Sequence, residues 1–224
     1  MRKSYIIILL ILVAFLCALW SPWNRWNIAL PQLFGIAPQA QIGGLQVTSL
    51  AGELEVFVDG NSVGSVNPET SPLVVPAIEQ GERQIKIVRD TTLAGAYADF
   101  NRLIKFESGV DVVISYELGP TDEFSEGHVI YATKKLDNSA DVLLSLQANV
   151  TGADVVIDDI SAGQTPIAGF KLSLDKQHKV SISKNGFDVQ EFTLLPQEQS
   201  DRDKLQGYNL NVDVNLFLQP LSVN

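Results

Sequence analysis

The sequence predicts an all-β protein of tandem small antiparallel β-sandwich units, preceded by one N-terminal transmembrane helix. Three observations predict this class. Beyond residue 44, most segments alternate apolar and polar residues with a period of two, as half-buried strands do. One stretch of the chain recurs 99 positions later. The only long uncharged apolar run lies near the N-terminus, between residues 5 and 20.

The N-terminal run from Tyr5 to Trp20 favours an uncleaved membrane anchor. Sixteen helical residues span about 24 Å, slightly less than a bilayer core but more than the apolar core of a usual signal peptide. Arg2 and Lys3 predict a cytoplasmic tail, residues 1–4, and an extracytoplasmic body. Tryptophans favour the interface where the anchor, residues 5–26, leaves the membrane; they are Trp20, Trp23 and Trp26. A cleaved signal peptide is the alternative, and it also exports the body.

The charge of the chain is strongly uneven. The formal net charge is −10, but residues 1–30 hold three of the 16 Lys and Arg residues and none of the 26 acids, so the remainder carries −13. Such an acidic body argues against nucleic acid or an anionic lipid surface as its partner. The only cysteine, Cys17, lies in the apolar run, so no disulfide framework supports the body.

A spacer and a series of strands follow the anchor. Residues 27–44 carry no charge and hold two prolines and three glycines, which is typical of a linker. Two later segments show the clearest alternation. GVDVVISYEL predicts one buried face made of Val110, Val112, Ile114, Tyr116 and Leu118, and NLNVDVNLFL predicts another made of Leu210, Val212, Val214, Leu216 and Leu218.

The recurring stretch is VFVDGNSVG (residues 56–64), repeated as VVIDDISAG (residues 155–163). After it, TSPL (70–73) matches QTPI (164–167) at an offset of 94, and QIKIVRD (84–90) then aligns with HKVSISK (178–184). Asp-Gly between apolar runs predicts a tight turn. The residues predicted to define these turns are Asp59, Gly60, Gly64, Asp158, Gly163 and Pro166.

This order of motifs resembles the PEGA domain, a small β-sandwich repeat of bacterial and archaeal surface proteins. The second copy, residues 141–196, carries the pattern best, in Gly152-Ala153, Val155–Asp158, the Thr165-Pro166 step and Lys184-Asn185-Gly186-Phe187. It departs from the pattern at Asp159, where glycine is usual. The first copy, residues 45–90, has an insertion and Arg89-Asp90 in place of the last motif.

Two parts of the chain match nothing in the repeated unit. Residues 91–140 are β-rich and either complete the first sandwich or form an inserted layer. Residues 197–224 contain a polar loop and a C-terminal strand.

Few residues have the types and spacing that chemistry requires. A calcium loop at Asp59, Asn61 and Ser62 is the alternative to a simple turn, but it lacks a closing bidentate glutamate, and Ile160 replaces Asn61 in the second copy. Side-chain hydrogen bonds within the turn explain the aspartates without an ion. We therefore predict no metal, no cofactor and no catalytic residue.

The most polar loop with an aromatic residue spans residues 119–128. It is interpreted first as a connector between strands, and second as a partner or ligand contact. The candidate contact residues are Asp122, Glu123, Phe124 and His128. Ser125 lacks a recognisable catalytic triad. A sugar-stacking platform is a further possibility, formed by Tyr97, Phe100, Tyr116, Phe124 and Tyr131; aromatic residues that alternate on strands are more often core.

Together these observations predict a single-pass, outward-facing envelope protein that is not an enzyme. Its predicted role is a structural or binding module that contacts other envelope proteins, surface-layer material or cell-wall polysaccharide. The alternative is an exported sensor or accessory subunit that modulates a membrane partner.

Overall fold

The body of the chain is all-β, as the period-two pattern predicts. The computed structural model describes residues 41–220, apart from residues 92, 94, 137 and 138. The strands, in chain order, are β1 (Ile42–Ser49), β2 (Leu54–Val58), β3 (Asn61–Val66), β4 (Leu73–Glu79), β5 (Gly81–Arg89), β6 (Phe100–Phe106), β7 (Asp111–Glu117), β8 (Glu126–Lys134), β9 (Val142–Ala148), β10 (Asp154–Ile157), β11 (Ile160–Gln164), β12 (Ile167–Leu172), β13 (His178–Ser183), β14 (Gln190–Leu194) and β15 (Tyr208–Asn215). A 3-10 helix (Asp122–Phe124) and one short helix, α1 (Gln199–Asp203), complete the described elements.

The strands form three sheets. One has seven strands in the order β12-β9-β15-β8-β7-β1-β4, and the other two have four strands each, β3-β2-β5-β6 and β11-β10-β13-β14. The prediction of purely antiparallel pairing is wrong at two places, because β1 pairs with β7 and β9 pairs with β15 in parallel. The chain between β1 and β7 passes through a four-stranded sheet, and so does the chain between β9 and β15. The second strand of each pair therefore returns to the seven-stranded sheet in the same direction as the first.

Each four-stranded sheet packs on the seven-stranded sheet to make a sandwich with its own core. The first core gathers side chains from β1, β2, β5, β6 and β7, including Leu45, Leu54, Ile85, Phe106 and Ile114, all fully buried. The second core gathers side chains from β9, β10, β13, β14 and β15, including Leu144, Val155, Ile182, Leu194 and Val212.

Strand β8 belongs to both sandwiches. Val129 packs in the first core, whereas Ile130 and Ala132 pack in the second. Successive side chains of a strand point to opposite faces of its sheet. The two four-stranded sheets therefore cover opposite faces of the seven-stranded sheet, and β8 contributes side chains to both cores.

The two aspartate turns have the same geometry. Asp59 and Asp158 have φ values of 49° and 50°, in the left-handed region that aspartate tolerates better than most residues. The Oδ1 atom of Asp59 accepts a hydrogen bond from the backbone N–H of Gln84 at 2.9 Å, and that of Asp158 accepts one from Lys179 at 3.0 Å. These bonds join β2 to β5 and β10 to β13, so each aspartate fixes its turn against the neighbouring strand. The prediction that the side chains bond within their own turns is therefore wrong for these two bonds.

The glycines and prolines predicted for these turns also occupy corresponding places. A register shift in each hairpin puts Gly64 opposite Val56 and Gly163 opposite Val155. Both glycines have positive φ values, 144° and 110°, which other residues rarely adopt. The Ser71–Pro72 and Thr165–Pro166 peptide bonds are both cis. Gly60 has a φ of 80°.

The sequence alignment of residues 84–90 with residues 178–184 is wrong by one residue. The matching hydrogen bonds to the turn aspartates place Gln84 at the position of Lys179, an offset of 95. This offset aligns the buried Ile85 with the buried Val180, whereas an offset of 94 aligns Ile85 with the exposed Lys179. A slip of one residue moves every side chain of a strand to the other face, so burial decides the register.

Several predicted boundaries shift. The predicted spacer, residues 27–44, overlaps β1, which begins at Ile42. Residues 91–140 supply β6 to the first four-stranded sheet and β7 and β8 to the seven-stranded sheet. The predicted anchor, Tyr5–Trp20, lies outside the described residues. Among the residues that are described, no helix is long and apolar enough to cross a bilayer.

Candidate binding sites

The polar loop of residues 119–128 is fixed by its own hydrogen bonds. Ser125 is buried, and its Oγ accepts from the Gly119 N–H and donates to the Thr121 carbonyl, both at 2.9 Å. Asn215, which follows the last apolar residues of β15, donates to the Asp122 carbonyl at 2.7 Å. These contacts explain Ser125 as a structural residue and leave the side chains of Asp122 and Glu123 exposed.

The two ring side chains predicted as contacts in this loop lie in different surroundings. Phe124 packs edge-to-face on Phe217, with ring centroids 5.8 Å apart. His128 stacks on Phe192 of β14, with centroids 4.2 Å apart, and so faces the second core. Asp122 and Glu123 are therefore the solvent-facing members of the predicted set, and His128 joins the two layers of the second sandwich.

Two of the five residues of the predicted aromatic platform belong to the first core. Phe100 and Tyr116 are each 4% exposed and pack edge-to-face at 5.0 Å within the first core. Tyr97 is covered by the Arg89 guanidinium, which lies 4.5 Å from its ring centroid. The alternative that these aromatics are core residues is the right one for Phe100 and Tyr116.

The burial of His128 has a consequence for stability. Burial lowers its pKa from 6.5 to about 4, so the folded chain keeps a neutral imidazole where the unfolded chain binds a proton. We expect the free energy of unfolding to fall as the pH drops from about 6.5 towards 4, by at most about 3 kcal/mol. Urea unfolding of the full chain between about pH 7 and pH 4.5 measures this slope.

The matched variants for this measurement are His128→Gln and His178→Gln, since these are the two histidines of the chain. We expect His128→Gln to reduce the dependence of the free energy of unfolding on pH. We expect His178→Gln to keep the contribution of His128 to that dependence. An unchanged slope in His128→Gln contradicts the assignment.

A groove of about 500 Å³ lies beside the second four-stranded sheet, where that sheet leaves part of the seven-stranded sheet uncovered. We call it the apolar groove. Its apolar lining consists of Val110, Val113, Ile130, Leu195, Pro196, Leu205 and Leu210. Its polar lining consists of Gln46, Asp111, Thr193, Gln197, Glu198, Asp201 and Lys204. The volume is in the range of about 300–1,000 Å³ that is usual for ligand pockets.

Arg202 holds one wall of the apolar groove in place. This side chain is 7% exposed, and its guanidinium donates to five oxygen atoms. They are the carbonyls of Leu174 at 2.8 Å, Pro196 at 2.9 Å, Asp175 at 3.4 Å and Gln197, and the side chain of Gln199 at 2.7 Å. The wall is therefore a fixed segment of chain.

The same wall contains a strained residue. Leu195 has a φ of 74°, a backbone conformation that costs an aliphatic residue about 1–3 kcal/mol. Its carbonyl accepts a hydrogen bond from the Gln177 side chain at 3.0 Å, which helps to hold it.

A second groove, of about 280 Å³, lies on the opposite face of the seven-stranded sheet. We call it the polar groove. It is lined by Tyr131, Ser145, Leu146, Gln147, Pro166, Ile167, Asn211 and Asp213. Pro166 is the cis-proline that the sequence marks as turn-defining.

The two grooves occupy corresponding places in the seven-stranded sheet. In each, three neighbouring strands present one residue each side by side: β15, β8 and β9 in the polar groove, and β7, β8 and β1 in the apolar groove. The residues of the polar groove are Asn211 (β15), Tyr131 (β8) and Ser145 (β9). The residues of the apolar groove are Val113 (β7), Ile130 (β8) and Gln46 (β1). The framework is alike in the two halves, and the chemistry of the two grooves differs.

The sequence predicts no metal site in the described part of the chain, with a calcium loop at the first turn as the alternative. Within that part, no group of three His, Cys, Asp or Glu side chains is placed to hold a metal ion. At the first turn, the Asp59 carboxylate pairs with Arg83 at 3.2 Å and Ser62 donates to Glu55 at 2.9 Å. These partners engage Asp59 and Ser62, two of the three residues that the calcium alternative requires.

Comparisons with known proteins give no family for the chain. No protein-family model matches it, and no curated protein matches it. A shaft pilin, SpaA, from Lactobacillus rhamnosus GG is similar at 8% identity over 82% of this chain and 100% of the pilin chain, with a TM-score of 0.22. A GH2 β-galacturonidase from Eisenbergiella tayi is similar at 14% identity over 77% of this chain and 37% of that chain, with a TM-score of 0.19. At these TM-scores neither similarity indicates a shared fold.

Proposed function

We propose that the chain is a non-catalytic binding module of the cell envelope, held at the membrane by its Tyr5–Trp20 segment with the body outside. The observation that carries the proposal is the pair of grooves at corresponding places on one continuous sheet, lined by different side chains. A framework that keeps its turns and strand order while its two grooves differ is typical of a scaffold that presents binding surfaces.

The corresponding turns support the further proposal that the two units are PEGA-like repeats. Both turns use an aspartate with positive φ, both are followed by a glycine at a register shift, and both lead to a cis-proline. Arg89 and Lys184 also correspond. The Arg89 guanidinium lies beside Gly52, and the Lys184 amine lies beside Gly152. Lys184, the basic residue of the Lys184-Asn185-Gly186-Phe187 motif, thus has Arg89 as its counterpart in the first unit.

The partners we propose are other envelope proteins, surface-layer material or cell-wall polysaccharide. The net charge of −13 beyond residue 30 disfavours nucleic acid. Both grooves lie on β-sheet surfaces whose strands are hydrogen-bonded on each side. Such surfaces are pre-organised, so binding orders few additional groups.

Two experiments in intact cells test this proposal. The body has no native cysteine, because Cys17 is the only one in the chain. A Cys17→Ser variant that also carries Glu69→Cys therefore reports on the body alone, and we expect a membrane-impermeant maleimide to label it. A photo-crosslinking amino acid placed at Gln147 or Gln197, which line the two grooves, should then capture an envelope component, whereas the same group at Glu69 should not. Protection of the introduced cysteine until the cells are lysed, or no envelope component captured from either groove, overturns the proposal.

A further inference from the structure

We propose that the polar groove binds one ring of a neutral saccharide, an inference that rests on the proposed function and names a ligand class for it. The groove is not a cleft of the 119–128 loop. Its hydrogen-bonding groups come from three strands that the sequence separates widely, β8, β9 and β15, and that pair side by side in the sheet.

The polar groove contains hydrogen-bonding atoms that the fold does not use. The Tyr131 hydroxyl, the Ser145 hydroxyl and the Asn211 Oδ1 atom have no hydrogen-bond partner among the described residues. The Asn211 Nδ2 atom donates to the Thr133 hydroxyl at 3.0 Å, which fixes the orientation of the amide and leaves its oxygen available. The two hydroxyls can each donate and accept, and the amide oxygen accepts, so together they can pair with the vicinal hydroxyls of a sugar.

The carboxylate of the groove is oriented by its neighbours. Gln147 donates to the Asp213 Oδ1 atom at 2.7 Å, and the Arg102 guanidinium lies 3.8 Å from its Oδ2 atom. An oriented carboxylate accepts hydrogen bonds from two adjacent hydroxyls. Because Arg102 offsets the charge of Asp213, the groove favours a neutral ligand, and the acidic body disfavours an anionic one.

The spacing of these groups fits a single sugar ring. Neighbouring strands are about 4.8 Å apart, so the row Tyr131–Asn211–Ser145 spans about 10 Å. Asp213 lies two residues beyond Asn211, about 7 Å along the strand. Burial, followed by the nearby Asp213, raises the pKa of Tyr131 above its ordinary value, so its hydroxyl remains a donor at neutral pH. Tyr131 is half-buried, so its ring also adds an apolar surface to the wall.

This face of β15 carries more polar side chains than the hydrogen bonds of the fold require. Asn209, two residues before Asn211 on the same face of β15, has a buried Oδ1 atom with no partner in the described part of the chain. An unpaired buried acceptor costs about 1–3 kcal/mol. The corresponding position to Asn211 in the apolar groove is Val113, so the framework itself accepts an apolar residue there.

The test uses the full chain in a detergent without a sugar headgroup. The probes are maltotetraose, cellotetraose, chitotetraose and mannotetraose, followed by saturation-transfer NMR and titration calorimetry. We expect at least one probe to bind with a dissociation constant of about 0.1–5 mM, as for a single shallow subsite. Tyr131→Phe, which removes one hydroxyl, should weaken binding about threefold to tenfold, and Asp213→Asn about tenfold or more. Glu69→Ala, at an exposed position outside both grooves, should leave binding unchanged.

Binding that is weakened by Tyr131→Phe and Asp213→Asn and unaffected by Glu69→Ala supports the inference. No binding of any of the four probes overturns it, as does binding that neither groove variant weakens. The proposed function fails separately. If the body is exported and captures an envelope protein but binds no oligosaccharide, the proposed function stands and this inference fails. If the chain binds sugar but the cysteine of its Glu69→Cys variant is protected in intact cells, this inference stands and the proposed function fails.

Discussion

A Leu54→Ala substitution in the first core is expected to destabilise the second core as well. Leu54 is fully buried in β2, and removing its side chain costs about 3 kcal/mol. The two sandwiches share β8, in which Val129 and Ile130 pack into different cores. Unfolding one half therefore removes a wall of the other, and we expect both halves to unfold in one cooperative transition.

Hydrogen exchange measures this coupling directly. In Leu54→Ala, the slowest amides of β10 and β13, which lie in the second sandwich, should exchange about a hundredfold faster, like those of β2 and β5. Leu103→Ala on β6 is the matched control, because Leu103 is 70% exposed and its loss should change the free energy of unfolding by no more than about 0.5 kcal/mol. Faster exchange confined to the first four-stranded sheet refutes the coupling.

Replacing Arg202 by alanine is expected to cost about 3 kcal/mol and to loosen the wall of the apolar groove. The substitution leaves the carbonyls of Leu174, Pro196 and Gln197 without their charged donor. We expect amide protection to fall in residues 195–198 and around Leu174. Exchange kinetics and urea unfolding of the full chain measure the two effects.

Two companion variants separate this contact from a general loss of charge. Lys204→Ala removes an exposed cation that pairs with Asp201, and should change stability by less than about 1 kcal/mol. Arg202→Lys should recover only part of the loss, because an ammonium lacks the planar fork that reaches several carbonyls at once. Unchanged protection of residues 195–198 in Arg202→Ala would show that the wall does not depend on this side chain.

The sequence predicts much of the fold where one face of a strand is buried. In β7 and β15, the alternating residues that the pattern marks as core are buried, among them Val112, Ile114, Leu210 and Val212. The reason is geometric, since a strand that contacts one core must alternate. The aspartate turns follow from local backbone preferences, because Asp-Gly between apolar runs predicts a tight turn. In the structure, Asp59 and Asp158 also have positive φ.

Other features depend on partners that the local pattern does not specify. In β8 the run HVIYA does not alternate, because both of its faces are covered, and nothing in the run shows that Val129 and Ile130 serve different cores. The parallel pairing of β9 with β15 is equally hidden, because alternation specifies a face and not a neighbour. The offset error at Ile85 has the same origin.

The candidate site shows the same limit. The loop of residues 119–128 stands out in sequence because its polar residues are consecutive, yet Ser125 is used within the fold and His128 is stacked on Phe192. The polar groove escapes sequence reasoning because Tyr131, Ser145 and Asn211 lie on three strands. In the sequence, Tyr131 stands out only as one of five aromatics of a possible sugar-stacking platform. Ser145 and Asn211 look like ordinary solvent-facing residues until strand pairing places all three in one row.

The position of β15 has a consequence for how the protein is made. Among the described strands β15 is the last to be synthesised, yet it lies between β8 and β9 in the middle of the seven-stranded sheet. Until it arrives, β8 and β9 each present an unpaired edge, the kind of surface that recruits other chains into aggregates. During synthesis, β8 and β9 therefore keep these edges unpaired until β15 is available. The nascent protein should depend on a holding chaperone until β15 is inserted.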